Sequence, residues 1–217
     1  MLNKNKKNII IVGAGQLGIL ISNILIKQKS FNILGFIDND KKKLNKFINN
    51  YKVIGSESYL FKNKKKYINL AIAVGDIIKR EKIIKKLKNQ NFAFPSIVDI
   101  SCNIDKGVKL GKGSIISNST TILNDTKIGE FSLVGTGVNI LHNVEIGNNC
   151  IIGGGTTIGS NVQIKNKVFV GVGSTFASKK IKVEKNSFIC SGSVIFNNVK
   201  AGSKMIGNPA RAIPGKF

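Results

Sequence analysis

The chain has 217 residues, 42% of them hydrophobic but only 7% aromatic and none Trp, so its core is expected to be aliphatic. Three Cys (Cys102, Cys150, Cys190) and one His leave neither a disulfide framework nor metal-ligand spacing; no metal is expected, and a reducing compartment is the simplest setting. The net charge of +23 comes from Lys scattered without interleaved aromatics, which argues against nucleic-acid binding and fits a Lys-, Ile- and Asn-rich composition from an A/T-rich genome.

Met1 to Lys7 is basic and Asn8 to Ile26 largely apolar, a superficial likeness to a signal peptide. Gly13, Gly15, Gln16, Gly18 and Asn23 interrupt that run, and no small-residue cleavage site follows. A strand at Asn8 to Val12, a glycine turn at Gly13 to Gly18 and a helix to about Lys27 explain the residues better. The protein is therefore expected to be cytoplasmic, without stable membrane insertion. A second strand is expected at Asn32 to Ile37, a short polar helix or loop at Lys41 to Asn50, a third strand at Asn69 to Val74 and a basic helix at Ile77 to Asn89.

G-x-G-x-x-G after a strand turns the chain tightly and aims backbone N–H groups at phosphate. Asp38, at the end of the second strand, sits where a dinucleotide enzyme holds the ribose. About ninety residues supply only half of a doubly wound sheet, so a single nucleotide is expected rather than NAD; a purely structural glycine turn is the alternative.

From Val98 a different period begins. Every sixth residue, from Val98 through Ile104, Leu110, Ile116 and so on to Phe176, is apolar, and the residue two before it is small or β-branched. Gly often follows the aliphatic position, as at Gly129, Gly147 and Gly153, and is expected to ease the corner backbone. A period of six suits neither helix nor hairpin; it suits a triangular coil of three hexapeptides, eighteen residues per turn, stacked as parallel strands. The pattern slips by one residue near Lys179 to Lys182 and resumes at Val183, Ile189, Ile195 and Ala201. The expected architecture is an α/β half-Rossmann βαβ unit over 1–94, then an all-β left-handed parallel β-helix of about six coils over 95–217.

Read together, I-V-G-A-G-Q-L-G (Ile11 to Gly18), G-F-I-D-N (Gly35 to Asn39), A-I-A-V-G-D (Ala71 to Asp76), the hexapeptide ladder and G-N-P-A-R (Gly207 to Arg211) resemble the PglD/NeuD-like sugar O- and N-acetyltransferases. Each motif is weak alone; their order on one chain is specific. The resemblance implies a homotrimer with acetyl-CoA held between neighbouring β-helices and a nucleotide-linked sugar acceptor, in surface polysaccharide synthesis. It implies that Gly15, Gln16, Leu17, Asp38, Asn39 and Gly75 face the acceptor, and that Leu133, Gly154 and Val172 contact acetyl-CoA. A basic surface would help gather such polyanions.

The family's catalytic corner, usually E-H-E-C or D-H-D-C, is matched here to Leu123-Asn124-Asp125-Thr126, with Asn124 in place of His and Leu133 in place of a second His. The only His, His142, is one coil later in the same corner position, so it should stack above Asn124 at roughly 5 Å. Its surroundings, L-H-x-V-x-I-G, also resemble the catalytic corner of serine acetyltransferases. His142 is the candidate general base, with Asp125 orienting it. The alternatives are a role-less corner His, an amine attacking by positioning alone, a serine-acetyltransferase-like enzyme (whose N-terminal part would be helical), and a non-catalytic sugar-nucleotide-binding β-helix.

Overall fold

The computed structural model describes residues 6–63 and 69–215. The chain forms two compact units, Met1–Ile100 and Ser101–Phe217.

The first unit is a five-stranded sheet: β1 (Lys7–Val12), β2 (Phe31–Ile37), β3 (Phe47–Ile48), β4 (Tyr51–Gly55) and β5 (Asn69–Ile72), in the order β3-β4-β2-β1-β5. All neighbours are parallel except the β3–β4 hairpin. Helices α1 (Gln16–Gln28), α2 (Glu57–Lys62) and α3 (Ile77–Lys88) complete it. Ile9–Val12 and Leu70–Ile72 are buried without alternation, as in parallel strands covered on both faces. The chain leaves β1 toward β2 on one side and returns on the other at β5. That reversal opens a crevice at the carboxyl ends of these strands, the usual ligand position in such sheets.

Lys41 to Asn50 differs from expectation. It is a 3-10 turn at Lys41–Lys43, capped by the Asp40 carboxylate on the Lys42 N–H, followed by strand β3. Asn49 and Asn50 carry φ of 46° and 66°, the two-residue turn that matches hairpin twist. Asn-Asn between Ile48 and Tyr51 is its sequence signal. The unit thus has two strands and a helix more than the half-sheet expected.

The second unit stacks coils into three parallel faces. Pairing runs eighteen residues ahead, as in Thr121↔Asn139↔Thr157. Inward residues such as Ile122, Val134, Ile140, Ile152 and Ile158 are fully buried. The small residues between them bond vertically: Thr120 Oγ1 to Gly135 O (3.0 Å), Thr126 Oγ1 to Leu141 O (3.0 Å), Ser132 Oγ to Gly147 O (2.7 Å) and Cys150 Sγ to Lys165 O (3.1 Å). A small polar side chain there satisfies a corner carbonyl that a methyl group would leave unpaired.

Two expectations about the coil are corrected. The glycine after the aliphatic residue does not ease the corner by its φ. A Cβ on Gly129 would lie 2.4 Å from the Gly147 carbonyl carbon, and one on Gly153 would lie 2.6 Å from Val172 N, so these glycines let adjacent coils approach. The left-handed residue comes two positions later and recurs every six: Ser119, Asp125, Phe131, Gly137, Asn143, Asn149, Gly155, Asn161. Ala201 is exposed in a turn; Val199, 2% exposed and bridged to Val183, fills the inward slot. The slip itself is present: Gln163 pairs with Lys182, and Ile181 takes the small-residue position, 1% exposed. G-N-P-A-R forms the turn of a closing hairpin, Lys204–Gly207 against Ala210–Ile213.

The outward residues give each face its own chemistry. One face shows Asn103, Thr121, Asn139, Thr157 and Thr175 (the polar face); the next shows Lys109, Lys127, Glu145, Gln163 and Lys182 (the charged face); the third shows Ile115, Leu133, Ile151, Phe169 and Phe188 (the apolar face). On the apolar face Phe169 and Phe188 stack at 4.5 Å.

Candidate functional site

In the first unit the crevice is a cavity of about 180 Å³ lined by Val12, Gly13, Ile37, Asp38, Asn39, Glu57, Val74, Lys79 and Ile83. Two glycines of the turn are structural. Gly13 has φ +112° and a Cβ there would meet Ala73 O at 2.4 Å; a Cβ on Gly18 would meet Gly13 O at 2.3 Å. Gly15 and Gly75, by contrast, are exposed with nothing within 4 Å of a Cβ, which leaves their backbone open to a ligand. Gln16 is exposed and Leu17 half-buried beside them.

Asp38 is tied into the turn. Its Oδ2 accepts the Ala14 N–H (2.9 Å) and the Lys43 ammonium (3.0 Å), and its Oδ1 accepts the Asp40 N–H (2.9 Å). Partial burial opposes its charge, but the two backbone N–H bonds and Lys43 outweigh that and hold the carboxyl below its ordinary range. Asn39 pairs reciprocally with Glu57: Nδ2 donates to Oε1 (2.7 Å), and the Glu57 N–H donates to Oδ1 (3.2 Å). Lys86 lies 3.3 Å from the other Glu57 oxygen.

Glu57 and Arg80 are the residues the sequence reading missed. Arg80 is wholly buried and donates to Ile72 O (3.3 Å) and Val74 O (3.1 Å), the carbonyls where β5 ends; burial pushes its pKa down to about 10. Glu57 could have been found from Ser56-Glu57 at a strand end, a helix-start pattern. A cation in a helix otherwise read as amphipathic gives no such signal.

In the second unit Asn124 and His142 occupy the polar–charged edge of adjacent coils, both exposed, with the Asn143 N–H bonded to Asn124 O (3.2 Å). The Asp125 carboxylate accepts from Asn124 Nδ2 (2.7 Å), while the imidazole Nδ1 lies 3.3 Å from the Asn143 amide. Asn143 therefore stands where Asp125 was expected, as the ring's hydrogen-bond partner. Gly154 and Val172 stack on the apolar–polar edge, with Gly173 N–H donating to Gly154 O (2.9 Å). Val172 is 58% exposed, whereas Leu133 is 8% exposed on the apolar face. Within one prism the polar face separates the His142 edge from the Gly154–Val172 edge.

Residues 8–87 match the family model described as the PglD N-terminal domain, and residues 125–160 match bacterial transferase hexapeptide (six repeats). None of the curated proteins compared with the chain matches it. Solved structures superpose over nearly its whole length. A histidine-to-asparagine variant of perosamine N-acetyltransferase from Caulobacter crescentus, in complex with CoA and GDP-perosamine, is 20% identical with a TM-score of 0.90, covering 96% of this chain and 97% of that one. The acetyltransferase domain of PglB from Neisseria gonorrhoeae, in complex with acetyl coenzyme A, is 18% identical with a TM-score of 0.88, covering 96% and 100%. WeeI from Acinetobacter baumannii is 22% identical with a TM-score of 0.86, covering 96% and 100%. Residues 8–87 are thus similar to the PglD N-terminal domain and residues 125–160 to the hexapeptide repeats of bacterial transferases, in a chain whose fold is that of these sugar acetyltransferase structures.

Proposed function

We propose that the chain is an acetyl-CoA-dependent acetyltransferase acting on an amino group, or a hydroxyl, of a nucleotide-linked sugar in cytoplasmic synthesis of surface glycans. The observation that carries this is the order of both units over 96% of the chain, shared with a structure that holds CoA and GDP-perosamine. On this reading the crevice, with Gly15, Gln16, Leu17, Asp38, Asn39 and Gly75, receives the nucleotide. The apolar–polar edge at Gly154 and Val172, together with Leu133, receives acetyl-CoA. At Gly155 and Gly173, on the corners there, nothing lies within 4 Å of where a Cβ would be, which leaves room for the pantetheine chain.

His142 is the general base. The acceptor nitrogen attacks the thioester carbonyl carbon, a C–N bond forms, the C–S bond breaks, and the imidazole takes the acceptor proton and returns it to the departing thiolate. Nε2 is free for this when Nδ1 carries its proton toward the Asn143 amide oxygen; the oxygen and nitrogen ends of that amide are interchangeable by shape. Because the two edges lie apart on one prism, a homotrimer that sets one copy's His142 edge against another's Gly154 edge completes the site. An amine acceptor needs less help from a base than a hydroxyl, so N-acetylation is favoured.

The test is a panel of GDP-, UDP- and dTDP-linked 3- and 4-amino sugars with acetyl-CoA, followed by thiol release. One member should turn over, and His142→Ala should lower its kcat by about 100-fold or more. Absence of turnover with every member would overturn the activity, and near-normal turnover by His142→Ala would overturn the base.

A further inference from the structure

Helix α3 buries Arg80, Ile84 and Leu87, which fall on one helical stripe. Two of the three are aliphatic, as a stripe against an apolar sheet requires. The third is a guanidinium at 0% exposure. Packing alone does not call for it. An apolar side chain of similar length fills such a slot without losing hydration, and exchanging a buried charge for one is often neutral or stabilising.

The contacts of Arg80 lie at the exit of β5. Its Nη1 donates to both Ile72 O (3.3 Å) and Val74 O (3.1 Å). Ala73, between them, is held from the other side: its N–H donates to Val12 O (2.7 Å), and its carbonyl oxygen would lie 2.4 Å from a Cβ on Gly13. Alternate carbonyls of one segment therefore lock the β5 exit to the glycine turn on one side and to α3 on the other. Gly75, next in the chain, is an open backbone position. Val74, Lys79 and Ile83 line the crevice, so Arg80 sits directly behind its wall.

The other charges of the crevice do not by themselves favour an anion. Asp38 and Glu57 both line it, and Lys43 and Lys86 are engaged with those carboxylates. Asp76 adds a third carboxylate at the start of α3, where it accepts the Lys79 N–H (2.8 Å). The Lys79 side chain is exposed, so water and salt screen its charge. The Arg80 charge lies in the interior, where screening is weak. Burial pushes its pKa down to about 10, which still leaves it cationic at neutral pH.

We infer that Arg80 is the positioning residue of the crevice: it fixes the backbone that carries Gly75 and sets a permanent positive charge behind it, for a nucleoside diphosphate. This rests on the reading of the crevice as the nucleotide site. Two adjacent phosphates bring the negative charge that Asp38, Glu57 and Asp76 repel and that the buried guanidinium offsets. Arg80 acts through the backbone and through its field, without touching the ligand.

Titration calorimetry of the full-length protein with GDP, UDP and dTDP tests this. The diphosphate that binds wild type should bind Arg80→Gln about 10-fold more weakly or worse. It should bind Arg80→Lys within about threefold of wild type, because an ammonium keeps the charge and can donate to the same two carbonyls. A purely structural side chain would not separate the two variants in this order, since both disturb the packing of α3. If Arg80→Gln does not melt cooperatively, Arg80→Met, which suits the apolar stripe, takes its place in the comparison. Affinity unchanged in the uncharged variant, or lost equally in Arg80→Lys, overturns the assignment and leaves the nucleotide reading standing. A wild-type protein that binds none of the three diphosphates overturns that reading, and this assignment with it.

Discussion

Asp38 holds three donors at once, and its contribution to stability follows from its charge. With the folded carboxyl below its ordinary range, the stabilisation is complete above the unfolded value near 4 and is lost as pH falls through the lower folded value. Asp38→Asn keeps the shape but loses the charge-assisted bonds, so unfolding free energy by urea should drop by about 1.5–3 kcal/mol at pH 7. The gap between variant and wild type should be smaller at pH 3; a gap unchanged between the two pH values would mean the carboxylate charge is not what holds the turn. At this scale the sequence was informative wherever a motif carries its own geometry. Asp38 and the turn glycines are legible because G-x-G-x-x-G encodes a turn. The partner of His142 was not, because a corner side chain turns toward whichever neighbour its rotamer reaches: Asp125 bonds its own neighbour Asn124, and Asn143 takes the ring.

The elements separate into those with a long period and those without one. Fourteen apolar residues at a spacing of six left little choice of fold, and the one-residue slip was visible as a break in phase. Strand β3 has two residues and no period to see; only Asn49-Asn50 announces it. The two kinds of coil glycine were merged in the sequence because a glycine letter does not say whether space or φ demands it. They are distinguishable by mutation. Gly129→Ala forces a Cβ against the next coil's backbone and should cost about 1–3 kcal/mol or more. Gly137, at φ +66° with open space around it, should lose about 1–2 kcal/mol on substitution by Ala and much less by Asn, the residue used at the same slot in Asn143, Asn149 and Asn161. Thermal and urea melts of the three variants measure this; equal effects of Gly129→Ala and Gly137→Asn would contradict the distinction.

For the molecule as a whole, the net charge of +23 reads from the sequence as composition, with a basic surface that would help gather polyanionic substrates, while the coil register shows that the charges of the coil lie on one face and the two corners beside it. The runs 131–144, 149–164 and 187–199, which contain no Lys, Arg, Asp or Glu, are visible in the sequence, but only the coil register assigns them to a side. The apolar face of the coil ends in the hairpin Lys204–Gly207 with Ala210–Ile213, whose second strand runs against the stack. Removing residues 204–215 should uncover Phe188–Ile189 and replace a sharp trimer peak with scattering that grows with time and concentration; a truncated protein that stays monodisperse would show that the hairpin is dispensable. A stack of parallel strands has the same internal logic as a fibril, adding layer on layer through backbone hydrogen bonds with no built-in length. On the apolar face of this coil the layering stops at one reversal of strand direction, which leaves a further parallel layer no matching template there.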